Sequence, residues 1–244
     1  MVPDFVKEQA ERLGLEVPSE LWALLERYLD AVLIANERFN LTGVKDREEA
    51  WRRHIVDSLT LLPLLDELPE GSRVVDVGSG AGLPGIPLAI CRGDLAVTLV
   101  DSTGKKARFM EEVSAELGLS HTRVLNERVE LMGQRKGDRE SYDVATCRAL
   151  GPLPELLEYT LPLLRVGGEL LAMKGPSVEA ELEGAGDALH ILGGGEVEVI
   201  DAYPEGFDLR TVFVRVIKAR PTPRIYPRPP GQPRHEPLGG EAKR

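Results

Sequence analysis

Residues 73–85 read Arg-Val-Val-Asp-Val-Gly-Ser-Gly-Ala-Gly-Leu-Pro-Gly, and this stretch decides the fold. The β-branched run Val74, Val75 and Val77 predicts a buried strand, which breaks at alternate glycines 78, 80 and 82. Pro84 suits the first turn of a helix. Glycines let the backbone turn tightly and let a ligand lie against it, and the following helix N-terminus faces the same spot. Asp76 sits in the strand just before the loop. A carboxylate there suits a cationic ligand and repels a pyrophosphate, so the expected ligand is S-adenosylmethionine, with its sulfonium and ammonium. Gly80, Gly82 and Gly85 also satisfy G-x-G-x-x-G, with Asp101 at the spacing of a ribose-binding acid. A nicotinamide-dependent dehydrogenase is therefore the rival, and Asp76 is what separates the two.

Downstream, strands are predicted near 73–77, 95–100, 121–125, 142–146, 168–174, 197–203 and 209–218. Helices are predicted near 84–91, 103–117, 152–164 and 177–192, with a helix or turn over 127–136. Alternation of this kind gives a parallel sheet covered on both faces. The gap Pro204–Asp208 is too short for a helical crossover, so the last strand must run antiparallel. The expected fold class is α/β: a class I S-adenosylmethionine-dependent methyltransferase with a Rossmann-like seven-stranded sheet and an N-terminal helical extension. Residues 1–66 form the helical part, 67–220 the methyltransferase domain and 221–244 a basic, proline-rich tail.

Within residues 1–66, Pro3 and Gly14 bracket a first helix. A second runs from Leu21 with Ser19 as its cap. A third starts at Asp46, with Glu49 completing a capping box, and turns Trp51, Ile55, Leu59 and Leu62 to the core. Its polar residues Arg53, His54, Asp57 and Ser58 lie one turn apart, which fits either a solvated face or a site.

The chain of 244 residues is long enough for one good core and a small appendage. No apolar run reaches membrane-spanning length, and the first 30 residues lack a signal-peptide pattern. The two cysteines, Cys91 and Cys147, fit neither a metal spacing nor a disulfide framework, so a cytoplasmic location is expected. A net charge of −10 argues against generic nucleic-acid binding and requires any RNA to be held locally. One such place is visible: no acid occurs between Leu209 and His235, where seven cations do. That segment reads as an extended arm for an RNA backbone or as a solubilising tail.

Ligands of such sheets lie at the carboxyl ends of the strands. Gly78, Gly80, Gly82 and Leu83 are expected around the methionine half of the cofactor. Asp101 is expected at the ribose hydroxyls, followed by Ser102 and Thr103, although Asp101 and Thr103 could instead cap the next helix. Val129 and Glu130 are expected at the adenine edge, and Arg148 beside the transferring methyl. Cys147 raises a thiol mechanism, but it lacks a Pro-Cys motif and reads as a small core residue. No metal-ligand cluster is visible.

Asn40-Leu41-Thr42, Arg53-His54-Ile55-Val56-Asp57-Ser58 and Asp76 through Pro87 together resemble one family. Asp101-Ser102, Lys105-Lys106, Arg108-Phe109, Arg148-Ala149, Lys174-Gly175 and Tyr226-Pro227-Arg228 through Pro237-Leu238 extend the match. It is the glucose-inhibited division protein B family, bacterial methyltransferases acting on guanine N7 of small-subunit ribosomal RNA. Thr103 and Cys147 depart from the small residues expected there. The resemblance implies S-adenosylmethionine as cofactor, small-subunit ribosomal RNA or the small subunit itself as partner, and Arg148 as the catalytic residue at the cofactor. Asn40, Arg53, His54, Lys174, Arg224 and Arg228 are assigned to RNA, with His54 equally readable as a satisfied core histidine.

Overall fold

A computed structural model describes residues 2–176 and 178–239. The helical part comprises α1 (Asp4–Arg12), α2 (Ser19–Arg38), α3 (Arg47–Ala50), a π-helical turn (Trp51–Val56), α4 (Asp57–Leu59) and α5 (Leu62–Leu65). The alternating part follows as β1 (Arg73–Val77), α6 (Gly85–Cys91), β2 (Ala96–Val100), α7 (Gly104–Glu116), β3 (Thr122–Leu125) and α8 (Val129–Met132). It continues through β4 (Tyr142–Arg148), α9 (Leu153–Thr160), β5 (Leu164–Lys174), α10 (Val178–Glu183), α11 (Gly186–Leu192), β6 (Gly194–Asp201) and β7 (Val212–Lys218), and ends at α12 (Gln232–His235).

The sheet order is β3-β2-β1-β4-β5-β7-β6. Strands β1 to β5 pair in parallel, while β7 runs antiparallel to both β5 and β6. This is the expected class I methyltransferase sheet. Because side chains alternate along a strand, the sheet feeds two cores. Val74, Val97, Leu99, Val144 and Phe213 pack under α1, α2, α6 and α7. Val75, Val77, Val100, Ala145, Cys147 and Val214 pack under α9 and α11. Trp22, Leu25, Tyr28 and Trp51 belong to the first of these, so the N-terminal helices share a core with the sheet.

Four local expectations need correction. Ser19 does not cap α2: Pro18 holds that position, and the Ser19 hydroxyl donates to Glu20 instead. The helix predicted over 177–192 is two helices, divided by the Gly184-Ala185 step; Ser177 lies outside the described residues. The helix begun at Asp46, whose carboxylate accepts the Glu49 N–H at 2.8 Å, widens into the π turn. Trp51, Ile55 and Leu59 face the core as expected, but the segment is enclosed on its polar side too: His54, Asp57 and Ser58 are 4%, 5% and 0% exposed, and of the four polar residues only Arg53 is solvated.

The fourth correction concerns the tail. Its described part is not an extended arm but a strap bound to the body. Arg139 donates to the carbonyls of Thr222 and Tyr226, both at 2.7 Å, and Gln134 donates to that of Pro227 at 2.8 Å. The buried Lys218 ammonium donates to the carbonyls of Leu161 and Leu192, and Pro233 is buried. The cause lies in the charge asymmetry itself, because the acidic body supplies partners for the acid-free segment. Glu140 accepts the Thr222 N–H at 2.7 Å and Glu158 takes the Arg228 guanidinium. Residues 240–244 lie outside the described residues.

Candidate active site

The loop after β1 is held from three sides. The N–H groups of Gly78 and Ser79 donate to the Val100 carbonyl, and the Ser79 hydroxyl donates to the Asp76 carbonyl at 2.8 Å. Gly78 sits at φ +71°, and a Cβ there would come within 2.4 Å of Leu150, so loop and opposite wall touch only because the side chain is absent. Below the loop lies Asp76. Its carboxylate accepts the Gly85 N–H at 3.0 Å and the Thr146 hydroxyl at 3.3 Å, and burial raises its pKa to about 6. The residue is wholly buried and lies outside the cavity wall, because position 76 faces α6 whereas Val77 faces the cavity. Asp76 thus props up the loop from beneath, on the α6 side of the strand.

Above the carboxyl ends of β1, β2 and β4 is a cavity of about 270 Å³. Gly78, Asp101, Ser102, Thr103, Val129 and Glu130, all expected at the cofactor, line it. Gly80, Gly82, Leu83 and Arg148 stand outside this wall. Asp101 accepts the Gly80 N–H at 3.0 Å and the Thr103 N–H at 2.8 Å, each oxygen retaining a lone pair for another donor. Thr103 makes no side-chain cap to α7. Glu130 turns its carboxylate away, to Arg128 at 2.6 Å and to the Gly231 N–H of the tail at 2.9 Å. Burial disfavours its charge, but these two donors outweigh burial and hold its pKa below the ordinary value. Unforeseen wall residues are Lys106, Leu150, Tyr159 and, from the tail, Arg234. A carboxylate between the apolar flanks of Val100, Val129 and Leu150 fits a flat ring carrying a diol, the shape of an adenosine.

Arg148, at the end of β4, enters a polar node under the N-terminal helices. Its Nη1 is buried without a hydrogen-bond partner among the described residues and lies 3.6 Å from Asp57 Oδ2. The other Asp57 oxygen accepts the Thr211 hydroxyl at 2.7 Å and the Tyr203 hydroxyl at 3.1 Å. His54 shares its Nε2 with the Thr42 hydroxyl at 2.7 Å; burial, reinforced by the Arg148 charge, lowers its pKa to about 4. The next residue, Ala149, has φ +50°, a strained conformation for a residue with a Cβ, and it lines the cavity. Arg148 thus meets Asp57 through a buried Nη1 that is close enough for an ion pair but makes no hydrogen bond among the described residues. Cys147 is fully buried, its thiol pushed up to about 12, which suits a core residue and not a nucleophile.

The profile of the family described as rRNA small subunit methyltransferase G matches residues 22–204. This chain belongs to that family. Ribosomal RNA small subunit methyltransferase G of Moorella thermoacetica is 43% identical over 226 residues, covering 92% of this chain and 93% of that one. The same-named protein of Chloroflexus aggregans is 43% identical over 225 residues, again covering 92% and 93%. Among solved structures, an S-adenosylmethionine-dependent methyltransferase from Aquifex aeolicus superposes with a TM-score of 0.51 at 21% identity, over 71% of this chain and 99% of that one. That likeness concerns the fold.

For a family of ribosomal RNA methyltransferases, the cations assigned to RNA need separate inspection. Lys174 donates to Glu181 at 2.6 Å and to the Gly151 carbonyl, with a side chain only 9% exposed. Arg228 makes a two-pronged pair with the buried Glu158. Both are committed inside the protein and are poor phosphate ligands. Arg53 pairs with Glu49 on the surface at 3.0 Å and stays accessible. Asn40 and Arg224 are exposed, and the loop at Asn40 is pinned by Asn36, which accepts the N–H groups of Leu41 and Thr42. His54 is interior and too enclosed to meet a phosphate; its Nε2 pairs with Thr42, but its buried Nδ1 has no hydrogen-bond partner among the described residues, so it is not a fully satisfied core histidine. Among the described residues no cluster of His, Cys, Asp or Glu could hold a metal.

Proposed function

We propose that the chain transfers a methyl group from S-adenosylmethionine to N7 of a guanine in small-subunit ribosomal RNA. The observation that carries the cofactor half is the cavity at the strand ends, where Asp101 stands between apolar walls above a glycine loop. Asp101 would accept the ribose hydroxyls, Val129 and Leu150 would flank the adenine, and the loop from Gly78 to Leu83 would carry the methionine half. When bound, the cofactor supplies an electrophilic sulfonium methyl.

Guanine N7 has an in-plane lone pair and no proton, so no general base has to act before transfer. The residues around Arg148 agree with this. His54 is a weak base, neutral at physiological pH and enclosed, and Cys147 is not ionised there. The work left to the protein is positioning and electrostatics. Arg148, at the end of β4, would help hold the cofactor and target base in line, with Asp57 beside its Nη1 fixing the guanidinium. The substrate class supports a cytoplasmic location, with free RNA or the small subunit as the partner. No helix among the described residues is long and apolar enough to cross a membrane.

The test is a transfer assay with methyl-labelled S-adenosylmethionine and either deproteinised small-subunit RNA or intact small subunits. Label should enter RNA in at least one of them. Calorimetry should show binding of S-adenosylmethionine and none of NAD; the reverse preference would restore the dehydrogenase reading.

A further inference from the structure

The RNA residues assigned from sequence leave too few free cations on an acidic protein, so the distribution of unpaired charge over the surface becomes informative. Many arginines and lysines are consumed in pairs, among them Arg47 with Glu26, Arg73 with Asp138, Arg92 with Asp94 and Arg215 with Glu169. Three that are not lie together. Arg38, Lys105 and Arg108 are exposed and have no ion-pair or hydrogen-bond partner among the described residues, and all three line one groove of about 940 Å³ between α2 and α7.

The groove has a direction. Helices α2 and α7 run past each other in opposite senses: Arg27 donates to the Glu116 carbonyl at one end, and Arg38 faces Lys105 across the other. Along α7 the groove-lining residues change from Lys105 and Arg108 in the first turns to Glu111 and Glu112 further on. The cationic end coincides with the positive end of the α7 dipole, which adds to its attraction for anions. It is also the end nearest the cofactor cavity. The single turn from Asp101 to Lys106 builds both places, with Ser102, Thr103 and Lys106 on the cavity side and Gly104 and Lys105 on the groove side.

We infer that the cationic end of the α2–α7 groove is the track for the RNA backbone next to the target guanine. This rests on the functional reading above and adds to it where the substrate lies. Arg38, Lys105 and Arg108 would each neutralise a phosphate, and Glu111 and Glu112 would keep the strand from running on toward the far end. A partner protein seated on the exposed Ile34 is the competing occupant, but a chain of phosphates matches three free cations better than an apolar contact does.

The test measures binding of deproteinised small-subunit ribosomal RNA against salt concentration, for wild type and two triple variants. In one, Arg38, Lys105 and Arg108 become alanine. In the other, the equally exposed and unpaired Lys7, Lys45 and Lys136 do, which removes the same net charge elsewhere. Each phosphate contact contributes roughly 0.7–0.9 to the logarithmic salt slope, so the groove variant should lose about two to three units of slope and about a hundredfold in affinity near 0.1 M salt. The single variant Arg108→Ala should lose about one unit. Affinity for S-adenosylmethionine, measured alongside, should hold and so report intact folding. An unchanged slope in the groove variant, or equal losses in both triples, would overturn the track while methyl transfer by the wild type left the functional reading standing. A wild type that neither binds nor methylates the RNA would overturn both.

Discussion

At the scale of single residues, burial and hydrogen bonding separate those that meet ligands from those that hold them. Asp101 borders the cavity, so Asp101→Ala should weaken S-adenosylmethionine binding by about 1.5–3 kcal/mol, roughly ten- to a hundredfold, in calorimetry. Its melting temperature should move little, because the two freed N–H groups belong to the part-exposed Gly80 and the exposed Thr103, where water can replace the carboxylate. His54 makes the pH-dependent prediction. Its pKa falls from an ordinary 6.5 to about 4 on folding, so the unfolded chain binds more protons between those values. The stability tied to neutral His54 is complete above about pH 6.5 and is lost as pH falls toward 4, up to about 3 kcal/mol. Asp76, raised to about 6, slopes the other way over part of that range. The measurement is therefore the difference in urea-unfolding free energy between wild type and His54→Gln across pH 4 to 7, which should shrink on acidification. A constant difference would mean His54 titrates normally. Residue types at strand ends were legible from sequence alone: Asp101, Ser102, Thr103 and Val129 fall where spacing put them. The direction of Asp76 was not. A carboxylate before a glycine loop looks the same whether it faces a ligand or the loop's own amide at Gly85, and only the strand's facing decides.

At the scale of elements, the strand–helix alternation and the short connection before β7 carried the sheet almost intact. The π turn escaped, because composition does not mark it, and so did the burial of the helix's polar side: Trp51, Ile55 and Leu59 face the core as expected, and His54, Asp57 and Ser58 are enclosed as well. The tail escaped for a related reason. Its prolines and lone charges describe a segment that cannot fold alone, and the partners that fold it, Glu130, Glu140 and Glu158, are scattered over the body. As a strap, the tail reaches the cofactor wall through Gly231, which donates to Glu130, and through Arg234. Arg228→Ala should therefore cost about 3–5 kcal/mol, by stranding the buried Glu158 carboxylate. Removal of residues 221–244 should weaken S-adenosylmethionine binding about tenfold, about 1.4 kcal/mol. Urea unfolding reads the first and calorimetry the second; full cofactor affinity in the truncated protein would detach the tail from the pocket.

At the scale of the whole molecule, a protein of net charge −10 pairs many of its cations with its own acids, and in the proposed reading the free ones at the α2–α7 groove meet the polyanion. In the proposed reading the cavity takes the donor and Arg148 positions without a base, while family membership gives the substrate class. The most direct test of their combination is the identity of the methylated atom. Methylation at guanine N7 leaves a fixed positive charge on the ring and makes the strand open to reductive cleavage. Small-subunit RNA from a strain lacking this protein should lose one such cleavage site, and added protein with S-adenosylmethionine should restore it at the same nucleotide. A restored methyl group on an exocyclic amine or a ribose hydroxyl, or no difference between the two RNAs, would contradict the account.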